Sequence, residues 1–324
     1  MEQHKVKRAI VIGGGGVLGG TWAVGALKAL EETFGFRAAE ADLLVGTSAG
    51  SVLTALVACG VSTDELVTHY NSEKVLSGPL LGYSWDPVRA TGGDRPGSPS
   101  RWLPGSPGLL RAGLFGSGSG GRMPLTAVLS GLLPEGGKSL ERVGHLVDAV
   151  APLGGWVETE DGKELWIVAM DYQSGKRIVF GRSGSPVVSL ADAVMASCAI
   201  PGWFTPIHID GRTYVDGGAI SATSVDVVAE SGCDEIYVLA PMAATASDNP
   251  SGIGAKLERR WRGQVTKTAV DEIALVKSHG ARVFFASPTP EDLNAIGANL
   301  MDASRRRNVL ATSLRTSVAT WESS

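Results

Sequence analysis

Ala9-Ile10-Val11-Ile12 is an unbroken apolar run that stops at four glycines, and beyond it Trp22, Val24, Leu27 and Leu30 fall at helical spacing between Thr21 and Glu32. The pattern is strand, glycine turn, helix. It repeats at once: Leu43-Leu44-Val45 stops at Gly46, and Ser51 to Cys59 continues as an Ala/Leu/Val helix closed by Gly60. Two such crossings in succession predict a parallel sheet with helices on its faces, the α/β class. Further along, helices are predicted over 125–133, 140–149, 190–198 and 253–278, with more helix between 291 and 320. Strands are predicted over 165–169, 177–180, 212–215, 235–239 and 282–286, and Gln173-Ser174-Gly175-Lys176 reads as the turn joining the first two.

The pattern breaks between Gly78 and Gly121, where 44 residues hold twelve glycines and six prolines. Such a stretch reads as loop, lid or linker, and Trp85 and Trp102 within it favour a lid that meets apolar material. The 324 residues are therefore read as one domain, 1–324, with a core over about 8–240, an insertion over about 78–121 and a helical extension over about 251–324. With 44% hydrophobic and 19% charged residues, wholesale disorder and coiled coil are excluded.

The balance of 29 basic against 33 acidic residues, net −4, leaves no positive field to hold nucleic acid. Arg259-Arg260-Trp261-Arg262 and Arg305-Arg306-Arg307 are dense basic clusters that read as solvated helix faces, the alternative being a peripheral face that meets anionic lipid. Cys59, Cys198 and Cys233 are odd in number, widely spaced and without neighbouring His, so they read as buried free thiols of a reducing compartment rather than disulfides or zinc ligands. The apolar run after the basic N-terminus is too short for a signal-peptide core, and no stretch approaches the roughly 20 apolar residues of a membrane span. A cytoplasmic location is the expectation.

Three segments carry candidate chemistry. Gly46-Thr47-Ser48-Ala49-Gly50 follows a strand and opens a helix, the context of a nucleophile elbow, in which small flanking residues let a sharp turn lift the Ser48 hydroxyl off the sheet. The plainer reading is a glycine-rich turn with Ser48 as helix N-cap. A serine needs a base. Ser48, Asp216 and His279 would reproduce the chain order of α/β-hydrolases, but His279 closes a helix before a parallel strand and so belongs at the opposite edge of the sheet. Asp216, fed off the end of a strand and followed by Gly217-Gly218, is the better base. Taken alone, Asp-Gly-Gly reads first as an ordinary turn. Third, the loop Gly13 to Gly20 offers backbone N–H groups to an anion. Gly14, Gly16 and Gly19 match G-x-G-x-x-G, so a dinucleotide-binding or non-catalytic protein competes with an oxyanion hole built on Gly14, Gly15 and Gly16. Asp42 precedes the second strand instead of ending it, which weakens the dinucleotide reading.

These blocks, in this order, resemble the patatin-like phospholipase family: the glycine loop Gly14 to Gly19, Gly46-Thr47-Ser48-Ala49-Gly50, and Asp216-Gly217-Gly218. A fourth block, Ala196 to Pro206, is similar to the family's stretch where a helix ends at Pro-Gly and an aromatic residue lines the way to the Asp. The resemblance covers roughly residues 8 to 240. It implies a three-layer α/β/α fold with a mainly parallel sheet, and hydrolysis of lipid acyl esters by a Ser48–Asp216 dyad without histidine, metal or cofactor. The glycine loop would be the oxyanion hole, with a lipid or acyl ester as substrate. One position departs from the pattern: Leu18 stands where the family usually carries Arg or Lys before the last loop glycine. A neutral acyl ester or lysolipid is then as fitting a substrate as an intact phospholipid.

Overall fold

Strand β1 (Arg8–Ile12) is buried at every residue after Arg8, as a central parallel strand covered on both faces must be. Ile10 and Ile12 enter one hydrophobic core, Ala9 and Val11 another on the far side of the sheet. A computed structural model of the chain describes residues 5–83, 86, 93–99, 103–115, 123–152, 155–157, 162–245 and 253–324. Trp85 and Trp102, on which the lid expectation leaned, lie outside the described residues.

After β1 come α1 (Gly16–Phe34), β2 (Leu43–Thr47), α2 (Ala49–Ala58), α3 (Thr63–Tyr70), α4 (Pro107–Phe115), α5 (Leu125–Ser130) and α6 (Glu141–Asp148). The middle of the chain supplies β3 (Glu164–Asp171), β4 (Arg177–Phe180), α7 (Leu190–Cys198), β5 (Ile207–Ile209), β6 (Arg212–Asp216) and β7 (Glu235–Leu239). The last third adds α8 (Ile253–Ser278), β8 (Arg282–Ala286), α9 (Pro290–Ile296) and α10 (Arg306–Glu322). The strands form one sheet in the order β5-β6-β3-β2-β1-β7-β8, with β4 paired to β3. Neighbours among β3, β2, β1, β7 and β8 run parallel, while β4, β5 and β6 are antiparallel to theirs. Helices α1, α2, α6, α7 and α10 share the larger core on one face, and α8 covers the other. The mainly parallel three-layer arrangement expected from the strand–helix alternation is the one observed.

Several elements escaped the periodicity. Helix α3 is announced by a capping box, in which the Ser62 side chain accepts from the Glu65 N–H and Glu65 reaches back to the Ser62 N–H. Helix α4 lies inside the Gly/Pro-rich insertion, anchored by fully buried Leu109 and by the Ser106 hydroxyl donating to the Tyr172 carbonyl at 2.5 Å. The C-terminal third does more than extend the fold, because α10 packs along α1. The Trp321 indole donates to the Ala26 carbonyl at 2.8 Å and Ser313 to the Trp22 carbonyl at 2.7 Å, across nearly the whole sequence. All three cysteines are free thiols, but only Cys198 is buried, with Cys59 and Cys233 half-buried.

Candidate active site

Strand pairing alone brings Ser48 and Asp216 together. Val168 of β3 pairs with Thr47 on one edge and Val179 of β4 on the other, while the next residue, Ala169, pairs with Asp216 and with Ile178 of β4. Strands β2 and β6 therefore share one edge of β3 and meet end to end, since β2 runs parallel and β6 antiparallel to it. Thr47 and Asp216 sit opposite consecutive residues, and the chain leaving β2 at Ser48 turns at the foot of Asp216.

Ser48 occupies φ 54°, ψ −125°, a left-handed conformation that costs an L-residue of order 1–3 kcal/mol and is held by its surroundings. Both elbow glycines are needed for close approach. A Cβ on Gly46 would lie 2.3 Å from the Thr54 hydroxyl, and one on Gly50 2.0 Å from the Ile12 carbonyl oxygen. The Ser48 N–H donates to the Ser197 hydroxyl at 2.8 Å, and Ser197 in turn donates to the Val168 carbonyl at 2.6 Å. The Asp216 N–H donates to the Ala199 carbonyl at 3.0 Å. The end of α7 thus clamps the backbone of both residues. That is the structural content of the Ala196–Pro206 block, within which nothing local in the sequence distinguishes Ser197 from any helical serine.

Ser48 is 6% and Asp216 5% exposed. Burial pushes the Asp216 carboxyl up from its usual 3.8 to about 6, against the pull of hydrogen bonds from the Ser48 hydroxyl and from the Gly218 N–H, the latter at 2.7 Å. Gly217 lies under the Val168 carbonyl, where a Cβ would approach to 2.7 Å.

The glycine loop lies against Ser48. A Cβ on Gly14 would stand 3.0 Å from the Ser48 Cβ. Of the three glycines expected to donate, Gly14 has its N–H on the Ala222 carbonyl at 2.8 Å, whereas the N–H groups of Gly15 and Gly16, at the head of α1, have no acceptor among the described residues. Gly16 takes φ +60° and packs under Leu300 and Met301, and the Leu18 N–H donates to the Leu300 carbonyl at 2.9 Å, so the 300–301 segment roofs the loop. Gly15 and Gly19 press on Pro241, where a Cβ would approach to 2.9 and 3.0 Å. The pocket beside Ser48 holds only about 60 Å³, between Val17, Val52, Tyr70, Val143, Phe204 and Met301. At this volume neither a dinucleotide nor a long acyl chain enters unless side chains move.

Helix α8 buttresses this loop from behind with two buried ionisable residues. Fully buried Arg262 donates to the Pro241 carbonyl at 2.7 Å and pairs with Glu258. Glu272 accepts from the Val225 N–H at 2.9 Å and the Thr223 hydroxyl at 3.2 Å, next to the Ala222 that takes the Gly14 N–H. Burial, with the charge of Asp226 nearby, pushes the Glu272 carboxyl up from its usual range. The expectation of solvated basic faces is corrected at two positions, because Arg262 and Arg306 are buried. Arg306 bonds the Ser72 hydroxyl, Arg305 the Asn294 carbonyl at 2.9 Å and Arg307 the Asn71 carbonyl at 3.2 Å.

The model of the family described as patatin-like phospholipase matches residues 10–229 of this chain, about two thirds of its length. The chain belongs to the patatin-like phospholipase family. Among solved structures it is similar to VipD from Legionella pneumophila, at 14% identity and TM-score 0.45, covering 99% of this chain and 67% of that one. It is also similar to the type III effector protein ExoU, at 14% identity and TM-score 0.36, covering 98% of this chain and 53% of that one. Membership of a phospholipase family makes this a lipid hydrolase. In this patatin-like chain Leu18 points into the core and is fully buried, so the position that usually carries a basic residue is a packing position here. His279 is exposed at the end of α8, its Nδ1 3.0 Å from the Leu275 carbonyl. It lines a groove of about 1300 Å³ on the other face of the sheet, whose lining includes neither Ser48 nor Asp216. Among the described residues no helix is long and apolar enough to cross a membrane, and no cluster of His, Cys, Asp and Glu could hold a metal ion.

Proposed function

We propose that the chain hydrolyses fatty acyl esters through a Ser48–Asp216 dyad and a covalent acyl-enzyme. The observation that carries this reading is the end-to-end meeting of β2 and β6, which sets a strained serine against a buried carboxyl in an apolar pocket. Asp216 takes the proton as Ser48 Oγ attacks the ester carbonyl, and returns it to the departing alkoxide. It then draws a proton from the water that releases the acid. With its carboxyl near 6, Asp216 is ionised at neutral pH yet basic enough to be a useful acceptor. The Gly15 and Gly16 N–H groups at the positive end of α1 are the donors for the developing oxyanion.

The apolar wall suits an acyl chain, but its volume is far below the roughly 300 Å³ and upward of a formed ligand site. A long chain therefore requires side chains such as Met301 and Phe204 to part. The test is release of p-nitrophenol from a chain-length series of acyl esters by the native protein, Ser48→Ala and Asp216→Asn. Loss of turnover in both variants is expected. Native-like rates in either, on a folded protein, would overturn the dyad.

A further inference from the structure

Helix α5 is amphipathic the wrong way round for a core helix. Its small residues Ala127 and Ser130 are buried, while Leu125 is 70%, Leu129 48%, Leu132 54% and Leu133 45% exposed. These leucines fall at i, i+4, i+7 and i+8, and the winding continues past the helix through Leu132 N–H to Leu129 C=O at 3.0 Å and Leu133 N–H to Ser130 C=O at 3.2 Å. They form one outward stripe. Leu103, 62% exposed, joins it, because Gly105 two residues on donates to the Leu133 carbonyl at 2.9 Å. No ionisable residue occurs between Leu125 and Leu133.

The stripe is anchored at both ends to segments that run to the candidate active site. At one end the Thr126 hydroxyl donates to the Ala219 carbonyl at 2.9 Å, three residues after Asp216. At the other, Leu133 packs on Gly202 and Gly136 lies against Trp203 and Phe204, and Phe204 walls the Ser48 pocket. We infer that this leucine stripe is the surface by which the protein docks on a lipid aggregate, handing acyl chains from that phase directly into the pocket. The inference rests on the lipid ester reading of the same site. Two features favour a lipid surface over a protein partner: through Leu133 on Gly202 the stripe leads to Phe204 in the wall of the apolar pocket, and between Leu125 and Leu133 it carries no charge to fix a protein's orientation. Arg262 and Arg306 of the basic clusters are buried and no basic residue lies between Leu125 and Leu133, so the docking is apolar and little affected by salt.

The test is partition onto neutral phosphatidylcholine vesicles by co-sedimentation, with Ser48→Ala as the background so that no lipid is consumed. Adding Leu125→Ser, Leu129→Ser and Leu132→Ser together is expected to weaken partition about a hundred-fold, with little dependence on salt. The matching control removes exposed apolar side chains elsewhere, Val187→Ser, Val270→Ser and Leu275→Ser, and is expected to leave partition within about two-fold. Equal loss in both triples, or no loss in the first, overturns the proposal. So does a native dimer, seen by light scattering, that the first triple dissociates, because the occupant would then be a second copy. In proteins that keep Ser48, the ratio of vesicle hydrolysis to hydrolysis of a water-soluble butyrate ester should fall in the first triple. If no ester is hydrolysed by the native protein the active-site reading fails, and partition still decides the docking surface on its own.

Discussion

Around Ser48 the chain is packed so closely that one added methyl would meet backbone at 2.0 Å, whereas on α5 and the turn after it four leucines stand in solvent. Both regions contain glycines and small residues, but to opposite ends. In the elbow they let strands β1 and β2, helix α2 and the glycine loop come within backbone contact, fixing the Ser48 hydroxyl against Asp216. In α5 and the turn after it Ala127, Ser130 and Gly131 let a short helix lie flat on its neighbours while its large side chains turn outward. The first region is specified by what cannot be added to it, the second by what has been left uncovered.

That contrast can be broken most sharply at the dyad. Ser48→Ala and Asp216→Asn should each lower ester turnover by about a thousand-fold or more with the fold intact, measured on p-nitrophenyl esters with circular dichroism as control. In the native protein kcat/KM should fall as pH drops through about 6, where Asp216 takes up its proton. Next is Gly50→Ala, which drives a Cβ into the Ile12 carbonyl and should cost about 4 kcal/mol or prevent folding, read by urea denaturation. The same experiment on Leu129→Ser in α5 should move stability by no more than about 0.5 kcal/mol.

A third expectation separates function from stability within the dyad itself. The folded carboxyl of Asp216, near 6, lies above its ordinary 3.8, so the ionised form destabilises the fold at pH above 6 and the penalty fades as pH falls through 6 toward 4. Asp216→Asn should therefore melt higher than the native protein at pH 8, by up to about 3 kcal/mol, with the gap closing near pH 4. The last prediction concerns Ser197→Ala. It leaves the Ser48 N–H and the Val168 carbonyl without their buried partner and should cost about 1–3 kcal/mol, with a loss of kcat larger than any change in KM.

Local pattern was enough for the strand, turn and helix succession at both glycine-rich crossings, for helix 190–198 and helix 253–278 to their ends, and for the choice of Ser48 and Asp216 as residues that leave strands at sharp turns. These features are written in nearest neighbours: apolar runs, glycine stops and helical spacing act over a few residues and so survive in a linear reading. What local order could not supply was which ends meet. That β2 and β6 share one edge of β3, that Gly14 has its N–H on Ala222 and that Ser197, Arg262 and Glu272 hold the site from behind are all contacts between distant segments. The same holds for the stripe of leucines. The sequence determined that α5 would be amphipathic, but a helical period does not say which side is in. Only the packing of Ala127 and Ser130 against their neighbours turned the leucines outward, because burying a short helix requires small residues wherever backbones approach closely.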